Sequence, residues 1–161
     1  MNPQANTFPL VSIISINYNG AAVTCDMLAS LKQITYPNIE VIVVDNASQE
    51  DPSIISVKHP WIHFIQSKEN LGFAGGNNLG FKAAHGKYFL MLNNDTEVAP
   101  GFLEPLVARM ENDAAIGAVS PKIIFHHTPG MLQFAGFNPI NPLTARGTAI
   151  GFGHQDDGTF D

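Results

Sequence analysis

The chain has 161 residues, of which 45% are apolar and 14% charged, with a net charge of −6. This length and composition fit one globular domain with a real core and exclude a disordered chain, and the acid excess without any Lys/Arg cluster argues against a nucleic-acid binder. No apolar run reaches the ~20 residues of a membrane span, the N-terminus lacks a signal-peptide pattern, and the single cysteine, Cys25, has no partner for an internal disulfide, so the expected location is the cytoplasm, free or peripheral at the inner face of the membrane.

Residues 1–10 read as a tail. Val11 to Ile16, "VSIISI", is short and β-branched and predicts a first strand, which "NYNG" breaks. From Ala21, apolar residues recur at Val23, Cys25, Leu28 and Leu31, so a helix is expected to about Gln33. Tyr36-Pro37-Asn38 is a turn. The run Val41 to Val44 within "IEVIVVDNAS" has no polar face, as in a parallel strand covered on both sides. Asp51-Pro52-Ser53 starts a short second helix, because proline suits a first turn. "WIHFIQ" gives a third strand. "NLGFAGGNNLGFKAAHG" gives a glycine-rich turn and a helix stopping at Gly86 as a left-handed cap. Tyr88 to Leu92 is the fourth strand, Pro100 opens a helix to about Asn112, and "IGAVSPKIIF" reads as extended. After Phe125 the pattern fades into a Gly-, Pro- and Asn-rich stretch with one strand around Leu132 to Ala135. Alternating strands and helices predict an α/β fold: an open, mostly parallel sheet with helices on both faces and right-handed crossovers.

Open parallel sheets bind ligands at the carboxyl ends of their strands, where this sequence concentrates acids and amides. The first strand runs into Asn17-Tyr18-Asn19 and the second into Asp45-Asn46. The turn after the third carries Asn70-Leu71-Gly72, and the fourth ends in Asn93-Asn94-Asp95. Each has a plain structural reading, since Asp, Asn and Ser support turns and Asp95 suits a cap. Together on one rim they favour a site. The dinucleotide fingerprint and the phosphate-loop pattern are both absent. The glycines of "NLGFAGGNN" offer backbone N–H groups to an anion. Asp95 with Asn93 offers oxygen ligands to a hard cation, which an acidic rim needs if it is to hold a diphosphate.

"VSIISINYNG", "IEVIVVDNAS", "NLGFAGGNNLGFKAAHGKYFLMLNNDTEVAPGFLEPL" and "AVSPKI" resemble the N-terminal half of family 2 glycosyltransferases with the GT-A (Rossmann-like) fold, and most of all bacterial rhamnosyltransferase-type members. The resemblance runs from Val11 to Lys122. It implies a nucleotide-sugar-binding domain over 11–125 and, over 126–161, the loop-rich start of an acceptor region. Tyr18, with the backbone around Ile16 and Asn17, would line the nucleoside pocket, and Asp45 would accept from the donor's base. Asn70, Gly72 and Asn77 would lie near the donor diphosphate and sugar. Asn93, Asn94 and Asp95 occupy the place of the family's D-x-D motif. Asp95 thereby inherits a divalent metal, Mn²⁺ or Mg²⁺, while Asn93, an amide where the family has an acid, would contact the ribose and Asn94 completes the nucleotide-binding set.

The implied activity is inverting transfer of a sugar from dTDP-rhamnose or a UDP- or GDP-sugar to a bacterial glycan or lipid-linked acceptor. No residue matches the family's general base, although Asp156, Asp157 and Asp161 are available acids. The expectation is therefore a truncated donor-binding part, inactive alone and prone to self-association through the uncovered edge. The alternative is a non-catalytic nucleotide-binding or interaction module. His126-His127 reads as a solvated loop pair, Trp61 as packing and Cys25 as core.

Overall fold

The structure, a computed structural model, describes residues 8–160; most of the expected tail and Asp161 lie outside the described residues. The elements in chain order are β1 (Val11–Asn17), α1 (Ala21–Leu31), β2 (Ile39–Asp45), α2 (Ser53–Lys58), β3 (His63–Gln66), α3 (Gly72–Ala83), β4 (Tyr88–Met91), α4 (Leu103–Asn112), β5 (Ile123–Ile124) and β6 (Leu132–Phe134). The chain forms two compact units, the first ending at Pro105 and the second beginning at Leu106. The sequence places a boundary later, at 125.

In the first unit four strands form a parallel sheet in the order β3-β2-β1-β4. Val11 pairs with both Ile39 and Tyr88, so β1, β2 and β4 start level, and Asn17 pairs with Asp45 at the far ends. Side chains alternate across a strand. Ile14 and Ile16 on β1 therefore share one face, where Ile14, Ile42 and Val44 form a sealed cluster against Leu79 and Phe81 of α3. Each of those three fully buried side chains contributes about 1.5–3 kcal/mol. Asn17 points to the other face and meets Thr24 of α1, whose buried side is completed by Cys25, Met27, Leu28 and Leu31. Helices thus cover both faces, and the buried pattern of β1 and β2 matches the apolar runs that predict it.

The glycines of α3 set its distance from the sheet. A Cβ on Gly80 would stand 2.5 Å from Ile14 Cγ2, and one on Gly76 3.1 Å from Ile16 Cδ1. Gly86 differs from its expected role. α3 ends at Ala83, Ala84 is extended at φ −87° and ψ 143°, and Gly86 is not among the positive-φ residues. A Cβ there would meet Ser12 Oγ at 2.5 Å and Ser12 N at 2.7 Å, so close packing explains that glycine. The left-handed glycine of this segment is Gly72, at φ +68° and the start of α3.

In the second unit only Ile123–Ile124 of the expected extended run is a strand, antiparallel to β6. The Gly/Pro-rich stretch read as loop is tied back on itself by isolated bridges, Met131 with Gln155, Phe137 with Ala149 and Asn141 with Arg146. No helix among the described residues is long and apolar enough to cross a membrane.

Candidate functional site

β1 lies between β2 and β4, so its end is adjacent to both of theirs. An open cleft of ≈ 470 Å³ lies there, within the ~300–1,000 Å³ usual for small-molecule sites. Ile16 and Tyr18 line it from β1, Asn46 from the end of β2, Asn70, Gly72 and Phe73 from the β3–α3 turn, and Asn93, Asn94 and Asp95 from the end of β4. Seven of the residues singled out from sequence, Ile16, Tyr18, Asn70, Gly72, Asn93, Asn94 and Asp95, are therefore brought together.

Three are not in the lining. Asp45 and Asn17 are both 0% exposed. The Asp45 carboxylate accepts from Asn17 Nδ2 at 2.7 Å, Ser48 Oγ at 2.5 Å and Ser48 N at 3.1 Å. Its oxygens are turned inward, onto Asn17 and Ser48. Asn17 completes its own set by accepting from Thr24 Oγ1 at 2.9 Å. Asn77 is also buried, and its Nδ2 donates to Phe73 O at 2.9 Å, within its own helix.

The buried pair instead holds the loops that carry the lining. Asn19, at φ 52°, donates its N–H to Ser48 Oγ at 2.8 Å and accepts from Gln49 N at 2.7 Å. Ala47 is left-handed at φ 61°, a conformation that costs a non-glycine residue about 1–2 kcal/mol. Flanking bonds offset it, Asn46 N to Asn17 O at 2.8 Å and Ser48 N to Asp45.

Asn46, which the sequence places on the rim without a role, and Phe73, which it does not mark, also line the cleft. Asn46 is 3% exposed. Its Nδ2 donates to Asn70 Oδ1 at 2.9 Å and Gly72 O at 3.2 Å, and its Oδ1 accepts from Leu71 N at 2.9 Å. It fixes the β3–α3 turn to the end of β2. The sequence signal was its place after Asp45: alternation sends the next side chain the other way. Phe73 is an exposed aromatic ring at the start of a helix, a pattern that also fits ordinary surface.

The turn at the end of β4 closes through Thr96 N to Asn93 O at 3.2 Å. Asn94 is tethered by Nδ2 to Thr24 Oγ1 at 3.1 Å, whereas Asn93 and Asp95 are exposed. Among the described residues no group of three or more His, Cys, Asp or Glu side chains is placed to hold a metal. One carboxylate beside two amide oxygens still fits Mg²⁺ or Mn²⁺, hard cations bound through one or two carboxylates with substrate phosphates supplying the rest.

Asp156 and Asp157 lie in the second unit and are engaged there. Asp156 pairs with Lys122 Nζ at 2.9 Å, and the hydrogen bond from Lys122 holds its carboxyl below the usual range. Asp157 is lowered by hydrogen bonds from Thr159.

A model of the family described as glycosyl transferase family 2 matches residues 12–146. The chain belongs to this family. An uncharacterized glycosyltransferase of Haemophilus influenzae is 32% identical over 115 residues, 69% of this chain and 36% of the relative. One of Rickettsia prowazekii is 38% identical over 96 residues, 60% of this chain and 30% of the relative. The matched region thus spans about a third of the length of these relatives. Among solved structures, S. aureus TarS superposes with a TM-score of 0.58 at 26% identity, covering 63% of this chain and 19% of TarS. TarS 1-349 has been solved with UDP and with UDP-GlcNAc. A Pyrobaculum calidifontis mannosyltransferase, solved with GDP-Man and Mn²⁺, superposes with a TM-score of 0.60 at 24% identity over 68% of this chain and 34% of its own, and shows the shared fold. The glycosyl transferase domain is thus a GT-A fold.

Proposed function

We propose that this glycosyl transferase domain binds a nucleoside-diphosphate sugar in the cleft and presents it for inverting transfer to a glycan or lipid-linked acceptor. The observation that carries this reading is the convergence of the ends of β1, β2 and β4 and of the β3–α3 turn on one cleft. Two exposed rings, Tyr18 and Phe73, offer stacking faces to a base. The amides of Asn70 and Asn93 offer donors and acceptors to ribose and sugar hydroxyls, and Gly72 allows close backbone approach because a Cβ there would meet nothing within 4 Å. Asp95, with Asn93 and Asn94 beside it, would hold a divalent cation, Mn²⁺ or Mg²⁺. Such a cation, when bound, neutralises the leaving diphosphate at a site whose own charge is negative.

Besides the base contact that the resemblance implies, Asp45 has a supporting role. Its buried carboxylate orients Asn17 and Ser48 and so fixes the loops bearing Tyr18 and Asn46. A general base needs a free lone pair near the attacked hydroxyl; Asp156 and Asp157, both engaged and lowered, are poor candidates.

The donor is a UDP-, GDP- or dTDP-sugar. The complexes of TarS with UDP and UDP-GlcNAc favour the first, and the sequence resemblance favours dTDP-rhamnose. Calorimetric titration with UDP, GDP and dTDP, each with and without Mn²⁺, tests the reading. Micromolar binding of one nucleotide, strengthened by the metal, is expected. Binding of none of the three would overturn it.

A further inference from the structure

The polar residues beneath the cleft form a continuous chain. Asn94 Nδ2 donates to Thr24 Oγ1 at 3.1 Å. Thr24 Oγ1 in turn donates to Asn17 Oδ1 at 2.9 Å, and Asn17 Nδ2 donates to Asp45 Oδ1 at 2.7 Å. The ends of β4, β1 and β2 are thereby joined through one side chain of α1. Thr24 is 0% exposed and its hydroxyl is the sole joint in this chain between Asn94 and Asn17. Its single proton goes to Asn17, which leaves its lone pairs to receive Asn94, so the direction of the bonds is set. Gly20, the N-cap of α1, also stands close to this amide: a Cβ there would stand 3.1 Å from Asn94 Nδ2 and 3.7 Å from Asn17 Oδ1. The Asn94 amide is thus held against the first turn of α1, by the Thr24 acceptor and beside the Gly20 backbone, while its neighbours Asn93 and Asp95 are exposed.

We propose that Thr24 is a positioning residue for the Asn93–Asp95 turn, setting where the Asp95 carboxylate stands relative to the nucleoside end of the cleft at Ile16 and Tyr18. The inference rests on the reading of the cleft as a metal-assisted nucleoside-diphosphate site. It separates two parts of that site: the nucleoside part is carried by β1 and by the turn clamped by Asn46, and the metal part depends on the tether through Thr24. A hydroxyl that merely satisfied Asn17 would have no selective effect on the metal part. Thr24 does not line the cleft; it reaches the metal part through Asn94, while its bond to Asn17 belongs to the support beneath the nucleoside part.

The test uses the whole chain and the nucleotide among UDP, GDP and dTDP that the wild type binds best. Affinity is measured by calorimetry with and without Mn²⁺, alongside the thermal midpoint of each variant. Thr24→Val keeps the shape and removes the acceptor. It is expected to reduce the Mn²⁺-dependent gain in affinity by about tenfold, the scale of a lost buried hydrogen-bond partner, with metal-free binding within about twofold of wild type. Thr24→Ser restores the hydroxyl and should restore the gain. Gly20→Ala crowds the same amide and should lower the gain while leaving Thr24 in place, which keeps the proposal testable if Thr24→Val does not fold. An undiminished Mn²⁺ gain in both Thr24→Val and Gly20→Ala, or equal losses with and without metal, would overturn the positioning role alone. Absence of any Mn²⁺ gain in the wild type would overturn the metal reading of the site and this proposal with it.

Discussion

Asn17 and Asp45 are register partners at the ends of β1 and β2, and the amide of one donates to the carboxylate of the other at 2.7 Å with both side chains fully buried. An ionised carboxylate out of water needs its lone pairs filled. Here Asn17 Nδ2, Ser48 Oγ and Ser48 N fill them. The pair therefore belongs to the support of the cleft, one layer below the residues that line it.

Asp45→Ala should destabilise the fold by about 3 kcal/mol, because it strands a buried amide N–H, a hydroxyl and a backbone N–H at once. Asn17→Ala should cost at least as much, since it leaves the buried carboxyl group of Asp45 and the hydroxyl of Thr24 each short of a hydrogen-bond partner. In the double variant the loss should fall below the sum of the two by about 1 kcal/mol or more, as for residues in one network. Urea denaturation of the four proteins measures this. Simple additivity would mean that the two residues act independently.

Legibility from sequence followed the strength of the local pattern. β2 is plain because Val41 to Val44 admits no solvent face, and α3 is plain from the glycine-rich turn that leads it. The α/β architecture follows from such elements in alternation, and the family match agrees with the resemblance carried by the same segments. The position of the rim was also legible, since polar residues follow each strand. Their orientation was not. An acid at a strand end reads the same whether it meets a ligand or a neighbour 28 positions away, as Asp45 meets Asn17. Gly86 shows the same gap: left-handed backbone and close packing on Ser12 both demand glycine. Thr24 and Asn46 act through partners distant in sequence, and no local spacing signals such bonds.

His59 gives the fold a pH dependence. Burial, with Lys32 and Lys58 nearby, pushes its pKa below the usual 6.5. Below pH 6.5 the unfolded chain takes up a proton that the folded chain resists, so stability falls as pH drops through that value toward the lower folded pKa. Above it both states are neutral at this position and the effect vanishes. The urea midpoint should therefore decline as pH falls below 6.5, and His59→Phe should flatten that decline. Glu40 adds to the lower range: burial alone would raise it, but hydrogen bonds from Ser12 and His85 outweigh this and lower it. Its contribution, present above the unfolded value of 4.5, is lost as pH falls through the depressed folded pKa. A midpoint in wild type that does not move between pH 7 and 5 would remove the assignment to His59.

Gly80→Ala tests the spacing of α3 on the sheet. On an exposed helix this change is stabilising by about 1 kcal/mol. At Gly80 the new methyl would stand 2.5 Å from Ile14 Cγ2, on a β-branched side chain that is itself fully buried and has little room to turn. Overpacking of this kind costs about 1–3 kcal/mol, so a net loss is expected. Ile14→Ala in the same chain removes the crowding Cγ2, so the double variant should lose less than the sum of the two single losses. A Gly80→Ala chain with a thermal midpoint at or above wild type would show that α3 rides farther from β1 than this packing implies.

Asn93 and Asp95 set the last expectation, which concerns charge at the end of β4. Both are exposed, on a turn closed by a backbone bond, so neither carries much of the fold. Asp95→Ala should leave the thermal midpoint nearly unchanged yet remove the Mn²⁺-dependent part of nucleotide binding, since it deletes the only carboxylate among the described residues of the cleft lining. Asn93→Asp should do the reverse. It adds a second hard oxygen ligand with a full negative charge, and Mn²⁺ and Mg²⁺ sites commonly use one or two carboxylates. The gain in Mn²⁺ affinity should be about tenfold with nucleotide present, whereas nucleotide affinity without metal should fall, because the added charge then faces a diphosphate with nothing to neutralise it. The two titrations move in opposite directions only if both the cation and the diphosphate lie beside this turn. An Asn93→Asp chain that binds nucleotide equally well with and without Mn²⁺, at wild-type affinity, would separate the turn from the ligand altogether.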